Sequence, residues 1–323
     1  MKMKLIYRKS NRSFHSIENV FNTLLPALAV DKFELPFESK GILNRIRNIY
    51  FLIEKRYKFI HITGHDHYLL WWPFNNTILT IHDIEALNRK SGIKKWIFKK
   101  LWFDWPIANA TVITTISEFS KNEILRLGKT KTPIKVIPNP LTLPLSLDIK
   151  EFNATKPRIL HIGTKENKNL IRLVEAIKEL PVILVIVGKL NGQQGYIIEQ
   201  SQVEVELLHS LSNAEMMEEY RKCDLLAFVS TYEGFGLPII EAQAIGRAVI
   251  TSNVASMPEV AGDGALLVNP YSVEEIKNGM VKLIQNEELR KELIKKGLEN
   301  VKRFEPQKIS QQYRDLYMKI QDD

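Results

Sequence analysis

The sequence predicts an α/β protein of two domains, each a doubly wound parallel sheet with helices on both faces. Three observations carry that prediction. Short apolar runs alternate with helical stretches along the whole chain, and one of those runs feeds a glycine-rich turn that opens a helix. The 323 residues also suit two domains of roughly 150 each.

In the first half, apolar runs at 5–7, 59–63, 77–81, 111–115 and 134–137 each lead into polar or turn residues. Strands separated by helical crossovers pair in parallel, which gathers ligands at their carboxyl ends. The second half repeats the design at 159–162, 182–187, 203–208, 225–229, 248–251 and 265–268. Between the halves, 141–156 contains proline and lacks core periodicity, so it reads as a linker, with domains at 1–150 and 151–305. Ile309, Tyr313, Leu316 and Tyr317 recur at helical spacing within 306–320, which makes the tail a helix.

A composition of 45% hydrophobic and 25% charged residues is ordinary for a soluble globular chain. No apolar run approaches the ~18 residues of a membrane span, and the N-terminus enters a strand without a targeting-type apolar stretch. A cytoplasmic protein is therefore expected. The lone Cys223 cannot form an internal disulfide and reads as a small packing residue. Residues 1–150 carry 24 Lys and Arg against 12 Asp and Glu, and the remainder 21 against 25, so a basic half (+12) adjoins an acidic half (−4). This asymmetry suits an anionic partner of the first half, a membrane surface or a lipid-linked pyrophosphate, or a merely soluble basic surface. Nucleic acid is not expected, because no zinc-ligand spacing, basic zipper or RNA-stacking motif accompanies the charge.

The stretch 233–241, Glu-Gly-Phe-Gly-Leu-Pro-Ile-Ile-Glu, sets two carboxylates around a glycine turn. The apolar run 224–230 feeds the turn, Pro238 suits a first helical turn, and Gly246 suits the helix end. Backbone N–H groups at such a helix start attract phosphate, and glycine admits the ligand to the backbone. Acids beside that site suit hydroxyl recognition, as on a sugar or ribose, although a capped helix with acid in its first turn has the same pattern.

These nine residues resemble the E-x7-E signature of the retaining, nucleotide-sugar-dependent glycosyltransferases of family 4, which have the GT-B fold. Residues 158–164 (RILHIGT) with Lys168-Asn169-Leu170 resemble the first strand and basic loop of that family's donor domain, and 254–268 and Arg303-Phe304 follow in its order. The resemblance implies two Rossmann-like domains facing across a cleft, with a last helix (306–323) returning to the first domain. It implies that Glu233 holds donor-sugar hydroxyls and Glu241 those of the ribose. Gly234 and the N–H groups of Phe235, Gly236 and Leu237 would face the sugar and phosphates, and Lys168, beyond Gly163, would neutralise the leaving diphosphate. Thr164 stands where many members carry arginine, and Lys165 is the nearest substitute for that charge. Gly188, Lys189 and Leu211 would border the base.

In the first domain, His82 ends the 77–81 strand and resembles the family's cleft-lining histidine, able to donate a hydrogen bond to the transferred sugar. A core or capping histidine fits the pattern as well. Ser117 and Glu118 match the family's helix start after a strand, or plain N-capping. His61, His65, Asp66 and His67 cluster at a strand end; a loop contributing to the cleft, with His65 and His67 on the acceptor side, fits better than a metal site. No metal and no cofactor are expected. The family's glycine-rich loop after the first strand is replaced by 8–16, basic and hydroxyl-rich, where Arg12 would suit a phosphate-bearing acceptor. Residues 92–105 mix four lysines with three tryptophans, as interfacial helices do, but Lys94 intrudes on the apolar face, so helix-to-helix packing is an equal reading.

The expected activity is transfer of a sugar from a nucleotide diphosphate donor to a glycan or lipid-linked glycan acceptor in polysaccharide assembly. Three other readings fit less of the pattern: a nucleotide-sugar epimerase on the same fold, a glycoside hydrolase using Glu233 and Glu241, and a polyanion-binding module.

Overall fold

A computed structural model describes residues 3–9 and 16–322, so Arg12 and most of the loop after the first strand lie outside the described residues. The chain divides into two units, 1–140 with 305–323, and 141–304.

In the first unit, β1 (Lys4–Tyr7), β2 (Asp31–Glu34), β3 (Ile60–Ile62), β4 (Thr77–Ile81), β5 (Val112–Thr115) and β6 (Ile134–Val136) form one parallel sheet in the order β2-β1-β3-β4-β5-β6. Strand β2 was not foreseen. Its Asp-Lys-Phe-Glu sequence alternates exposure along a sheet edge, so it lacks the apolar run by which the buried strands announce themselves. The order reverses between β1 and β3, which opens a crevice beyond their carboxyl ends.

The helix Pro306–Asp322 belongs to this unit, packed on the helix Ser16–Leu28. Arg314 Nη1 donates to the Ala27 carbonyl at 2.7 Å, and Tyr313 lies against Phe21. His61, fully buried in β3, bonds the Tyr317 hydroxyl through Nδ1 and Thr80 Oγ1 through Nε2, both at 2.7 Å, and Thr80 continues to Thr114 at 2.6 Å. Both ring nitrogens are thereby satisfied in the core. Tyr317→Phe strands one of them, so the first unit is expected to lose about 1–3 kcal/mol, read as a lower urea midpoint. An unchanged midpoint would show that this bond contributes nothing.

In the second unit, β7 (Arg158–Ile162), β8 (Ile183–Val187), β9 (Glu204–Leu208), β10 (Leu225–Phe228), β11 (Ala248–Ser252) and β12 (Leu266–Val268) are again all parallel, in the order β12-β11-β10-β7-β8-β9. These six match the apolar runs, because strands covered on both faces read as continuous hydrophobic stretches. The order reverses between β7 and β10. The expected boundary at 150 is corrected: 141–150 lies with the second unit. Polar bonds that no apolar pattern reveals hold it there. The Thr142 hydroxyl donates to Glu241, Arg247 donates to the Asp148 carbonyl, and Lys150 pairs with Asp224. Cys223 is buried, as its packing role requires, and burial pushes its thiol up to about 12.

Candidate functional site

The loops after β7 and β10, the two strands at the reversal, meet. Beyond β7 the chain turns at Gly163 (φ +96°), where a Cβ would lie 2.9 Å from the Lys168 side chain. Glycine therefore lets Lys168 fold back across the turn. A single 3-10 turn, Glu166–Lys168, leads to Asn169 in the left-handed conformation (φ 62°, ψ 29°), which starts the helix Leu170–Ile177. Asn169 is buried, and its Nδ2 donates to the carbonyls of Val229 (3.0 Å) and Pro270 (2.7 Å), tying this loop to the end of β10.

The β10 side answers with its own stitches. Thr231 N donates to the Asn167 carbonyl at 2.8 Å, and Asn167 Nδ2 reaches the Tyr232 carbonyl (2.9 Å) and Glu233 Oε1 (3.2 Å). Glu233 Oε1 meets Lys168 Nζ at 2.7 Å, with side chains only 15% and 19% exposed, and Lys168 Nζ lies 4.7 Å from the Phe228 ring centre. A charge pair this sheltered is screened far less than a surface pair.

Gly236 (φ 112°, ψ 55°) then opens the helix Leu237–Ala244 with Pro238 in its first turn. The N–H groups at that start have no acceptor inside the helix. Ser256, fully buried, brings its hydroxyl to the carbonyls of Glu233 (2.9 Å) and Phe235 (2.7 Å) and so holds the turn from behind. The Phe235 ring is buried edge-on against Phe304, so this residue offers only its backbone.

Glu241, one helical stretch on, is 7% exposed. Tyr220 OH donates to its Oε2 at 2.6 Å and Thr142 Oγ1 to its Oε1 at 3.1 Å, while burial pushes its carboxyl up. Each oxygen thus has a protein donor and retains a second lone pair. Beside β7, Thr164 Oγ1 donates to the Lys189 carbonyl at 2.6 Å, and a Cβ on Gly188 would sit 2.7 Å from the Thr164 methyl. The structure therefore brings Gly163, Thr164, Lys168, Gly188, Lys189, Glu233 and Gly236 to one edge of the sheet. Lys165 is exposed on the same loop, and Leu211 is half-buried after β9. Sequence reasoning assigned no role to Asn167, Asn169 or Ser256; a polar residue just ahead of a helix start was the available signal.

In the first unit, His82 is 5% exposed, and its Nε2 donates to the Thr63 carbonyl at 2.8 Å. Burial lowers its pKa to about 4, so the ring is neutral at pH 7 and its Nδ1 is left as an acceptor. The expected hydrogen-bond donation to a sugar is thereby corrected. The 61–67 cluster disperses. His61 belongs to the core network; His67 is buried, donates from Nδ1 to the Trp102 carbonyl (2.8 Å) and stands edge-on to Phe103. Asp66 is buried with its carboxyl pushed up by desolvation, while His65 is exposed, its ring 5.8 Å from that of His82. His67 has no surface to offer an acceptor. Neither has Ser117, fully buried, whose Oγ accepts from Ser120 N (3.0 Å) as a helix cap; Glu118 is exposed and paired with Lys121. Among the described residues no three His, Cys, Asp or Glu side chains form a metal-type group.

Two six-stranded parallel sheets, each with one reversal of strand order, have the architecture of the GT-B fold, in which solved glycosyltransferases are built. The chain superposes on a sucrose-phosphate synthase from Thermosynechococcus elongatus with a TM-score of 0.83 at 17% identity, covering 100% of this chain and 99% of that one. It superposes on Anabaena HepE, solved with UDP and glucose, with a TM-score of 0.74 at 16% identity, covering 99% and 100%. Residues 146–300, which fall almost wholly in the second unit, match the family model described as glycosyl transferases group 1. The chain is 30% identical over 218 residues to O-antigen chain mannosyltransferase B of Escherichia coli, an alignment spanning 61% of this chain and 57% of that protein.

Proposed function

We propose that the protein transfers a sugar, with retention of configuration and without a metal, from a nucleoside diphosphate sugar to a glycan or lipid-linked glycan acceptor during surface-polysaccharide assembly. The observation that carries this reading is the sheltered Lys168–Glu233 pair beside an open helix start. Lys168 and the amides of 235–237 would take the charge that develops on the departing diphosphate. Glu233, oriented by Lys168 and Asn167, would accept hydrogen bonds from sugar hydroxyls. Glu241 would receive the ribose through its remaining lone pairs, and Gly188, Lys189 and Leu211 would border the base.

The anomeric carbon to phosphate-oxygen bond breaks, the acceptor oxygen bonds to the same face of that carbon, and the acceptor's proton passes to the leaving phosphate. No enzyme nucleophile is needed. In the first unit the Nδ1 of His82 would accept from a hydroxyl, and the basic loop containing Arg12 would meet an acceptor phosphate. The O-antigen relative and the UDP-bound neighbour support donor and setting. Work at the cytoplasmic face of a membrane follows from that setting; no helix among the described residues is long and apolar enough to cross one. The hydrolase alternative is disfavoured because an amide-lined helix start between the two glutamates has no role in hydrolysis.

A thermal-shift panel of nucleoside diphosphates and their sugars, run in chelator, tests the reading. At a ligand concentration 100 times Kd the matching nucleotide is expected to stabilise the second unit by about 2.7 kcal/mol. A panel without any shift, or a shift that appears only with added metal, would overturn it.

A further inference from the structure

The crossovers β2 to β3, β3 to β4, β4 to β5 and β5 to β6 all run the same way across the first sheet. Right-handed connections therefore lay their helices on one face. Ile42–Lys55, Gly92–Lys99, Trp105–Asn109 and Glu118–Leu127 make this layer. Leu52, Phe103, Ile107 and Ile124 point inward to a common core.

The outward side is unusually apolar. The helix Gly92–Lys99 buries no residue, and Ile93, Trp96, Ile97 and Trp105 are 75%, 60%, 45% and 56% exposed. The packing half of the 92–105 segment lies elsewhere: Phe98 stacks on Trp102, and Phe103 enters the core. Ile93, Trp96 and Ile97 fall at helical spacing with Lys100, so one stripe runs from apolar to basic. Lys100 joins Lys99, Lys129 and Lys131 around a cavity of about 470 Å³ between this segment and the end of the Glu118–Leu127 helix. Asp104 is the one acid in that lining and pairs with Lys99 and Lys100. Lys129 and Lys131 are exposed and have no ion pair among the described residues.

We propose that this face docks on an anionic phospholipid bilayer. The four-lysine cavity takes a lipid phosphate headgroup, and Ile93, Trp96, Ile97 and Trp105 seat in the interface. Tryptophan settles at headgroup depth, and lysines close to the surface add electrostatic attraction to anionic lipid. An apolar patch alone would suit a protein partner; its continuity with a lysine-lined cavity is what selects an anionic bilayer. The inference rests on the transferase reading only for why a membrane matters.

Flotation of the full chain with phosphatidylcholine vesicles, with and without phosphatidylglycerol, provides the test. The protein is expected to float with the anionic vesicles and to be released by high salt. The Lys129→Ala/Lys131→Ala double variant is expected to lower the partition coefficient by roughly 25-fold, about fivefold per lysine. Trp96→Ser with Ile97→Ser is expected to weaken binding as well. Thermal stabilisation by nucleoside diphosphate, measured without vesicles, stays at the unaltered level in both variants, which separates this proposal from the donor-site reading. Equal binding to neutral and anionic vesicles, or a lysine variant that floats like the unaltered chain, would overturn the proposal.

Discussion

Replacing Lys168 by alanine is expected to lower turnover with the matching sugar nucleotide by roughly 10²–10³-fold, the usual cost of one preorganised donor to a developing anion. The lysine sits in a sheltered pair, so the loss must be separated from damage to the fold. Its removal leaves Glu233 with the Asn167 bond, and the loops remain stitched by Asn169 and Thr231. The unfolding midpoint is expected to fall as Glu233 loses its counter-ion in a sheltered site, so kcat is compared at a temperature where both proteins are shown to be folded. Lys168→Arg should recover only part of the rate, because a planar, forked guanidinium keeps the charge but does not reproduce the compact Nζ contact with Glu233 Oε1. Glu233→Gln should act differently: it keeps an acceptor for Asn167 but gives up the charge, so its larger effect is on KM for the donor sugar. Turnover at the unaltered level in Lys168→Ala would remove the central element of the proposed mechanism.

Acid is the second large effect. Burial lowers the pKa of His61 and His67 from 6.5 to about 3, and that of His82 and His161 to about 4. As pH falls through 6.5 the unfolded chain takes up these protons and the folded chain does not. Stability is thus lost from about pH 6.5 downward, until the folded histidines themselves titrate. At pH 5.5 each buried neutral histidine costs about 1.4 kcal/mol. The first unit holds three of them, which sums to about 4 kcal/mol, a large share of the 5–15 kcal/mol typical of a domain. Asp66 offsets part of this, since its raised carboxyl takes a proton earlier in the folded state. The second unit, with His161, should be less sensitive. Urea unfolding at pH 7.5 and 5.5, followed by hydrogen exchange to tell the units apart, checks both statements; equal stability at the two pH values would contradict them.

The eleven strands read from apolar runs are present because a strand covered on both faces must be apolar throughout, and that composition is local. β2 lacked the signal, being an edge strand with charges facing water. The glycine turn at 236 was legible for the same local reason, since its left-handed backbone favours glycine. The boundary at 141–150 was not, because hydroxyl and guanidinium bonds from distant residues place it. Ser117 matched the resembled family's helix start and His67 belonged to a strand-end cluster, yet each has its polar atoms turned into the protein.

By itself the sequence determined the two-domain α/β plan, the strand, glycine turn and helix at 225–244, and the basic character of the first half. Periodicity, turn chemistry and charge are properties of neighbours along the chain. Tertiary structure alone decided that Lys168 meets Glu233, that Glu241 is shared with Tyr220 and Thr142, and that His82 presents an acceptor nitrogen. Those facts depend on which strands lie side by side at a reversal of strand order, and a crossover can bring residues 65 positions apart within a hydrogen bond without leaving a mark on either segment.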